Sequence, residues 1–414
     1  YKGHLYDAYN FIRLFNILFP PHLPHDWSIE GPFDKKWASG TGFLPGGVGW
    51  YRKRFKIPKN DKKTKFFIYF EGVYNNSEVW FNDRYLGKRP NGYISFFYVL
   101  TPFINFGSEN VIAVKVDHFK YADSRWYTGS GIYRNVKLIK TTEIYIKPWG
   151  IYARPEMKGS KGIVDFDVSI KNEKLHASSI MVVNKLCWKK QIVKELKQTV
   201  KIKSNEELVV HGQIKIENPM LWDIESPNLY TLLTVIREDN KIIDQVQTIV
   251  GFRTLRFDAN DGFFLNHNNI KLKGICMHHD AGCLGAAVPV DVLERRLEIL
   301  KEMGCNAIRT SHNAFAPDFY DLCDKKGFLI IDEVFDEWEL PKKKWVDGWN
   351  IGTPNMDGYA ENFREWGKID LRDQILRDRN HPCIIMWSIG NEIDYPNDPY
   401  THEILNTEDN PQTS

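Results

Sequence analysis

The stretch from Arg377 to Glu392, RDRNHPCIIMWSIGNE, constrains the fold of this chain more than any other. Asn380-His381-Pro382 stops a helix, because proline lacks a backbone donor and restricts the residue before it. The apolar run Cys383-Ile384-Ile385-Met386-Trp387 then reads as a strand buried on both faces of a parallel sheet. It ends in Ser388, Gly390, Asn391 and Glu392. An amide and a carboxylic acid thus stand where a buried strand emerges, and in α/β barrels the chemistry lies at that end. Taken alone, Glu392 would serve equally well as an N-cap or ion-pair partner for a following helix.

From Val250-Gly251-Phe252-Arg253-Thr254 onward, strands alternate with helices, which implies parallel pairing and right-handed crossovers. Strands are expected at 270–276, 306–309, 328–331 and 383–387. The first helix should start near Asp291, with Glu294 completing a capping box. Leu293, Leu297 and Leu300 share one of its faces, and Gly304 suits a left-handed cap. The second helix should open at Pro317 and close at Gly327, and the third should run from about 361 to 379. The strand ends gather His278, Arg309, His312, Glu337, Asn391 and Glu392 on one face. An eight-stranded barrel takes roughly 250 residues. The 145 residues from Ile270 to Ser414 suffice for four strands, so 254–414 reads as the N-terminal half of a TIM (β/α)8 barrel with exposed apolar strand edges.

The rest of the chain reads as β structure. Residues 1–141 hold strand candidates at 50–57, 65–70, 77–81, 93–99, 110–116 and 135–140. Several alternate apolar with polar residues, and Asn82-Asp83-Arg84 has the chemistry of a tight hairpin turn. Many short strands separated by turns argue for a jelly roll or sandwich. Residues 142–253 continue with strands at 164–170, 179–186, 206–216 and 230–237. That pattern suggests an immunoglobulin-like β-sandwich without the Cys-Trp-Cys arrangement of antibody domains, and its expected task is to join the first domain to the barrel.

A formal net charge of +2 over 414 residues favours neither nucleic acid nor an anionic membrane surface. No stretch suits a transmembrane helix, and the apolar run 11–19 is short and interrupted by Arg13 and Asn16. The compartment stays open, cytoplasmic or, after removal of an export signal, periplasmic or secreted. The six cysteines, mostly within or beside apolar runs, are expected to be buried free thiols, and no Cys-x-x-Cys pair points to zinc. Aromatic residues make up 14% of the chain, enough to leave some exposed ring faces for stacking.

The string Asn-His-Pro, an apolar run, then Trp-Ser-x-Gly-Asn-Glu resembles the acid/base signature of glycoside hydrolase family 2. Further resemblances to that family lie at Trp50-Tyr51-Arg52, Glu71-Gly72-Val73, Val79-Trp80-Phe81-Asn82, Ser124-Arg125-Trp126-Tyr127, Gly131-Ile132-Tyr133-Arg134 and Asn306 to His312. The resemblance implies a retaining β-glycosidase with an N-terminal jelly-roll sugar-binding domain. Glu392 would be the general acid/base, and Asn391 would hold the sugar's 2-hydroxyl. Arg309 would orient the nucleophile, with His312 and His278 contacting the sugar. The nucleophile would come from a seventh strand beyond Ser414, leaving this chain alone inactive. Asp123 is a candidate sugar contact reaching over from the first domain, although an Asx-turn aspartate is the plainer account. An ion pair at the barrel rim is the plainer account of Arg309, as rim packing is of the two histidines.

Glu337 is a further acid for the site. It matches a glutamate that some β-galactosidases use for magnesium, but Glu339 stands where those enzymes carry a histidine, so no metal and no cofactor is expected. A glycosidic acid must be protonated near neutral pH, and burial with a neighbouring negative charge is expected to raise Glu392 accordingly. The resemblance implies a carbohydrate partner, and the likeness of residues 23–55 and 124–134 to the β-galactosidase subgroup favours β-galactosides. The alternatives are β-glucuronides or a non-catalytic carbohydrate-binding role. A homo-oligomer is compatible with the sequence.

Overall fold

The structure is a computed structural model that describes residues 22–347 and 353–393 together with the backbone of 12–13. The first domain packs two antiparallel sheets face to face. The larger runs in the order Ile12–Arg13, Gly47–Lys56, Glu109–His118, Ser77–Phe81 and Arg84–Arg89; the smaller in the order Phe96–Val99, Lys65–Phe70 and Val136–Thr141. In Glu109–His118, Ile112, Val114 and Val116 point inward and meet Tyr51, Phe66, Phe70 and Phe81. The strands expected at 65–70 and 77–81 form with those bounds. Arg84–Arg89 is a strand the pattern did not reveal. It pairs with Ser77–Phe81 through Asn82 and Asp83, both at positive φ as the hairpin turn requires.

The second domain is a sandwich of a three-stranded and a four-stranded sheet over a core that includes Val164, Phe166, Val168 and Ile170. All four expected strands are present, three of them slightly longer than anticipated and the fourth, Glu207–Glu217, shifted by one residue, and three more join them. Ile144–Lys158 escaped detection because Pro148, Trp149 and Gly150 interrupt its alternation, at a break in its register with the next strand. Gln191–Ile202 and Lys241–Val250 lie at the two edges of the four-stranded sheet. Their solvated faces carry charged residues that dilute the apolar signal.

In the third domain, β1 (Gly274–Met277), α1 (Val290–Glu302), β2 (Ala307–Thr310), α2 (Pro317–Lys326), β3 (Leu329–Glu333), α3 (Ala360–Asp378) and β4 (Ile384–Ser388) follow in order. The four strands pair in parallel as β1-β2-β3-β4. Leu297, Ile308, Phe319, Leu329 and Ile384 fill the space between strands and helices. A small antiparallel sheet, Leu255–Asp258, Gly262–Leu265 and Asn268–Asn269, precedes β1. Consequently β1 begins at Gly274 rather than at Ile270.

Other expectations are corrected. The capping box does not form: α1 starts at Val290 after Pro289, with no side-chain cap. Pro317 and Gly327 do bound α2, and Gly327 takes the left-handed conformation. Strand β4 is not buried throughout. Ile384 and Ile385 are, but Met386 is 40% and Trp387 42% exposed, since among the described residues β4 has a paired strand on one side only. Cys323 and Cys383 are buried, whereas Cys276 and Cys283 are exposed. All six cysteines are free thiols.

The three domains are tied together by polar contacts at buried and part-buried positions. Asn380, before the helix-stopping proline, accepts from the Ala153 amide and donates to the Ile151 carbonyl, both at 2.9 Å. Arg253 donates to the Ile384 carbonyl at 2.6 Å. On the other side, Arg134 donates to the Ala314 carbonyl and Arg377 to the Ser95 hydroxyl, each at 2.9 Å. The jelly roll is thereby held against the carboxyl ends of the barrel strands.

Candidate active site

The centre of the site is Glu333, the last residue of β3, whose side chain is closed off from solvent. Its Oε2 accepts from Arg309 Nε at 2.9 Å and from the Ser388 hydroxyl at 2.6 Å; its Oε1 lies 2.6 Å from His312 Nδ1. Burial pushes the Glu333 carboxyl up, but these hydrogen bonds outweigh it and hold the group below the usual glutamate range. Strand ends β2, β3 and β4 and the turn after β2 are thus joined through one carboxylate. The plainer account of Arg309, an ion pair at the rim, describes part of what the structure contains.

Arg309 has a second partner. Its Nη2 donates to Asn391 Oδ1 at 2.9 Å, and Asn391 Nδ2 in turn donates to Asp336 Oδ1 at 2.8 Å. The Asn391 amide N–H bonds the Phe335 carbonyl at 2.8 Å, which anchors the turn leaving β4. Glu392 follows with a left-handed backbone (φ 48°), uncommon for a glutamate, and its side chain is 42% exposed. It therefore stands at the mouth of the strand and outside the packed interior.

The expected raised Glu392 is not what the structure contains. Its carboxylate lies 2.9 Å from Arg125 Nη2 and 3.3 Å from Lys342 Nζ. Burial pushes the group up, yet Arg125 and Lys342 prevail and hold it below the usual range. A second carboxylate, Asp336, binds the same Arg125 and Lys342 at 3.0 and 2.9 Å. Despite its burial, those two cations depress Asp336 to about 2. The local charge around Glu392 is therefore cationic first, which favours the carboxylate form.

One wall of the site comes from the jelly roll. Trp126 stacks on His278, ring centres 5.0 Å apart, and meets His312 edge-on at 5.6 Å; the two histidines are 5.7 Å apart. Burial, and secondarily His312, lower His278, which favours its neutral imidazole. Beside this wall a cleft opens between the domains, lined by Tyr74, Tyr93, Asp123, Trp126, His312 and Asp336. Asn391 and Glu392 do not line that cleft; they stand beyond Asp336. Asp123 is buried and accepts from the Tyr74 hydroxyl at 3.0 Å and Asn75 Nδ2 at 2.8 Å, with His118 at 3.2 Å.

Glu337 also lines this cleft but is engaged by a partner of its own. It is buried, ion-paired with Lys344 and bonded by the Lys342 and Ala360 amides. Burial raises it and Lys344 opposes that rise. With a lysine already bonded to one of its oxygens, the position does not resemble a prepared cation site.

The sequence reading missed Arg125, Lys342, Asp336 and Glu333 as site residues. Arg125 lay within a motif already singled out, but its partner is 267 residues away. Nothing local connects the two. Glu333 carried a usable signal, since it terminates an apolar strand just as Asn391 and Glu392 follow one.

A jelly roll and a β-sandwich leading into parallel β/α units, with an Asn-Glu pair at a strand's carboxyl end, define a glycoside-hydrolase architecture. Models of one family match in succession: glycosyl hydrolases family 2, sugar binding domain, over 43–142; glycosyl hydrolases family 2 over 144–253; and glycosyl hydrolases family 2, TIM barrel domain, over 258–407. The chain belongs to glycosyl hydrolases family 2.

Among relatives, beta-galactosidase BoGH2A of Bacteroides ovatus is 47% identical over 90% of this chain and 43% of its own length. A beta-glucuronidase of Formosa agariphila is 32% identical over 83% of this chain and 36% of its own. A beta-glycosidase structure from Bacteroides vulgatus superposes with a TM-score of 0.85 at 41% identity, over 98% of this chain and 52% of that one. The chain thus spans about half the length of such relatives or less.

Proposed function

We propose that the protein is a retaining β-glycosidase acting on terminal β-linked sugars, β-galactosides foremost. Glu392 is the general acid/base, and the nucleophile carboxylate is supplied from outside the described residues. The observation that carries this reading is Asn391 and Glu392 at the mouth of β4, with Asn391 held by Arg309, which Glu333 anchors together with His312. Glycosidic cleavage needs a proton donor on the leaving oxygen and a second carboxylate opposite, roughly 5–5.5 Å away in a retaining enzyme. Asn391, its amide oriented by Arg309 and Asp336, is read as the partner of a sugar hydroxyl. Trp126 offers a ring face for the apolar side of a pyranose.

The test is hydrolysis of nitrophenyl β-galactoside, β-glucuronide and β-mannoside by the full-length gene product. Turnover of the galactoside with net retention supports the proposal. Preference for the glucuronide transfers the activity to the second reading, which the name of the Formosa agariphila relative favours. Failure on all three, with sugar binding retained, identifies a carbohydrate-binding protein instead.

A further inference from the structure

We propose that Arg125 of the jelly-roll domain is a positioning residue for Glu392, and that their contact opens when Glu392 turns toward a glycosidic oxygen. The inference rests on the reading of Glu392 as acid/base. The geometry is specific. Arg125 Nη2 bridges Glu392 Oε2 at 2.9 Å and Asp336 Oδ1 at 3.0 Å, while its Nε is buried without a partner. Lys342 Nζ, itself almost wholly buried, binds Asp336 at 2.9 Å, the Asn391 carbonyl at 3.0 Å and Glu392 at 3.3 Å.

Asp336 is the fixed member of this group, since it is buried and receives three donors. Glu392 is the exposed member, bound by two cations on one oxygen. It can leave with the smaller desolvation cost, because Asp336 continues to satisfy both cations. Among the described residues, the charged groups facing Glu392 are Arg125 from the jelly roll and Lys342 and Asp336 from the segment after β3. A substrate's leaving group entering there would displace Glu392 from Arg125 and let it take a proton.

Two measurements test this. In the full-length protein, the alkaline limb of the kcat/KM profile reports the acid. Arg125→Gln should move that limb upward by about 1 on the pH scale, and Arg125→Lys should leave it near the wild-type position. A residue with only a structural role would lower kcat/KM at every pH and leave the limb in place, which would overturn the proposal. Should Arg125→Gln fail to fold, carbon-13 and nitrogen-15 NMR of the unmutated protein decides. The Arg125 side-chain resonances should shift with the same midpoint as the Glu392 carboxyl, and independent titration sinks the idea. Glu392→Gln checks the underlying reading separately. Full turnover of a substrate with a poor leaving group by that variant would refute the acid/base assignment whatever Arg125 does.

Discussion

Arg309 Nη2 donates to Asn391 Oδ1 at 2.9 Å, across β3 from the end of β2 to the turn after β4. This contact and the Asn391 Nδ2 bond to Asp336 fix which way the amide faces. The two side chains beyond β4 are therefore oriented by groups from other strands and loops.

The direction of the amide makes Asn391→Asp a sharp test. The substitution keeps the shape but sets a carboxylate against Asp336, where a donor stood. Like charges at hydrogen-bond distance disfavour that arrangement. We expect kcat/KM of the full-length protein to fall at least a hundredfold, with KM less affected than kcat. A variant within threefold of wild type would show that the amide's orientation is irrelevant.

Glu333 makes stability acid-sensitive. Its folded-state pKa lies below the unfolded value of about 4.3, so its contribution is present above that value and is lost as pH falls through the lower folded one. Glu333→Gln lowers stability at neutral pH, because Arg309 loses a charged partner. The drop between pH 5 and acid should correspondingly flatten. Urea denaturation of both proteins across that range reads the difference.

His381 acts in the opposite direction. It lies 2.6 Å from Asp324 and is raised to about 9; burial opposes the rise, but the Asp324 charge prevails. The stabilisation is fully present below the unfolded value of about 6.5 and is lost as pH rises through 9. Asp324→Asn should cost on the order of 3 kcal/mol at pH 6 and much less at pH 10. Equal costs at the two pH values would exclude the pair as the source.

The buried Glu337–Lys344 pair should behave as structure. Lys344→Met strands a buried carboxylate and is expected to cost about 3 kcal/mol in chemical denaturation. Restored stability in the double variant Lys344→Met with Glu337→Leu would identify the lost pairing as the cause. If Glu337 instead held a catalytic cation, a chelator would abolish turnover; we expect activity to survive it.

On the proposed reading, Trp126, packed against His278 and His312, supplies the ring face of the site. Trp126→Ala should raise KM about tenfold, the scale of one lost aromatic contact, and should free His278 and His312 from their packing. Isothermal titration with the product sugar measures the same loss without catalysis. An unchanged affinity would place the sugar elsewhere.

The legibility of this protein varied with how local the cause was. Lys65–Phe70 and Ser77–Phe81 could be read to the residue, because a period-two pattern or an unbroken apolar run needs no distant partner. The edge strands Gln191–Ile202 and Lys241–Val250 could not, because strands with a solvated face take charged residues freely. The placement of Asn391 and Glu392 at a strand's carboxyl end was legible from Pro382 and the apolar run after it. The expectation that Glu392 would be raised failed, since its environment is set by Arg125 and Lys342, neither of which is near it in sequence.

The amino-acid order by itself determined the three-part architecture, the parallel strand order of the last domain and the polar residues each strand delivers to one end. Turn chemistry and hydrophobic period act over a few residues, and those features depend on nothing longer in range. Only the tertiary structure decided which charges those residues meet. Electrostatic interaction depends on distance through space, and a loop from the jelly roll brings Arg125 to the barrel's Glu392.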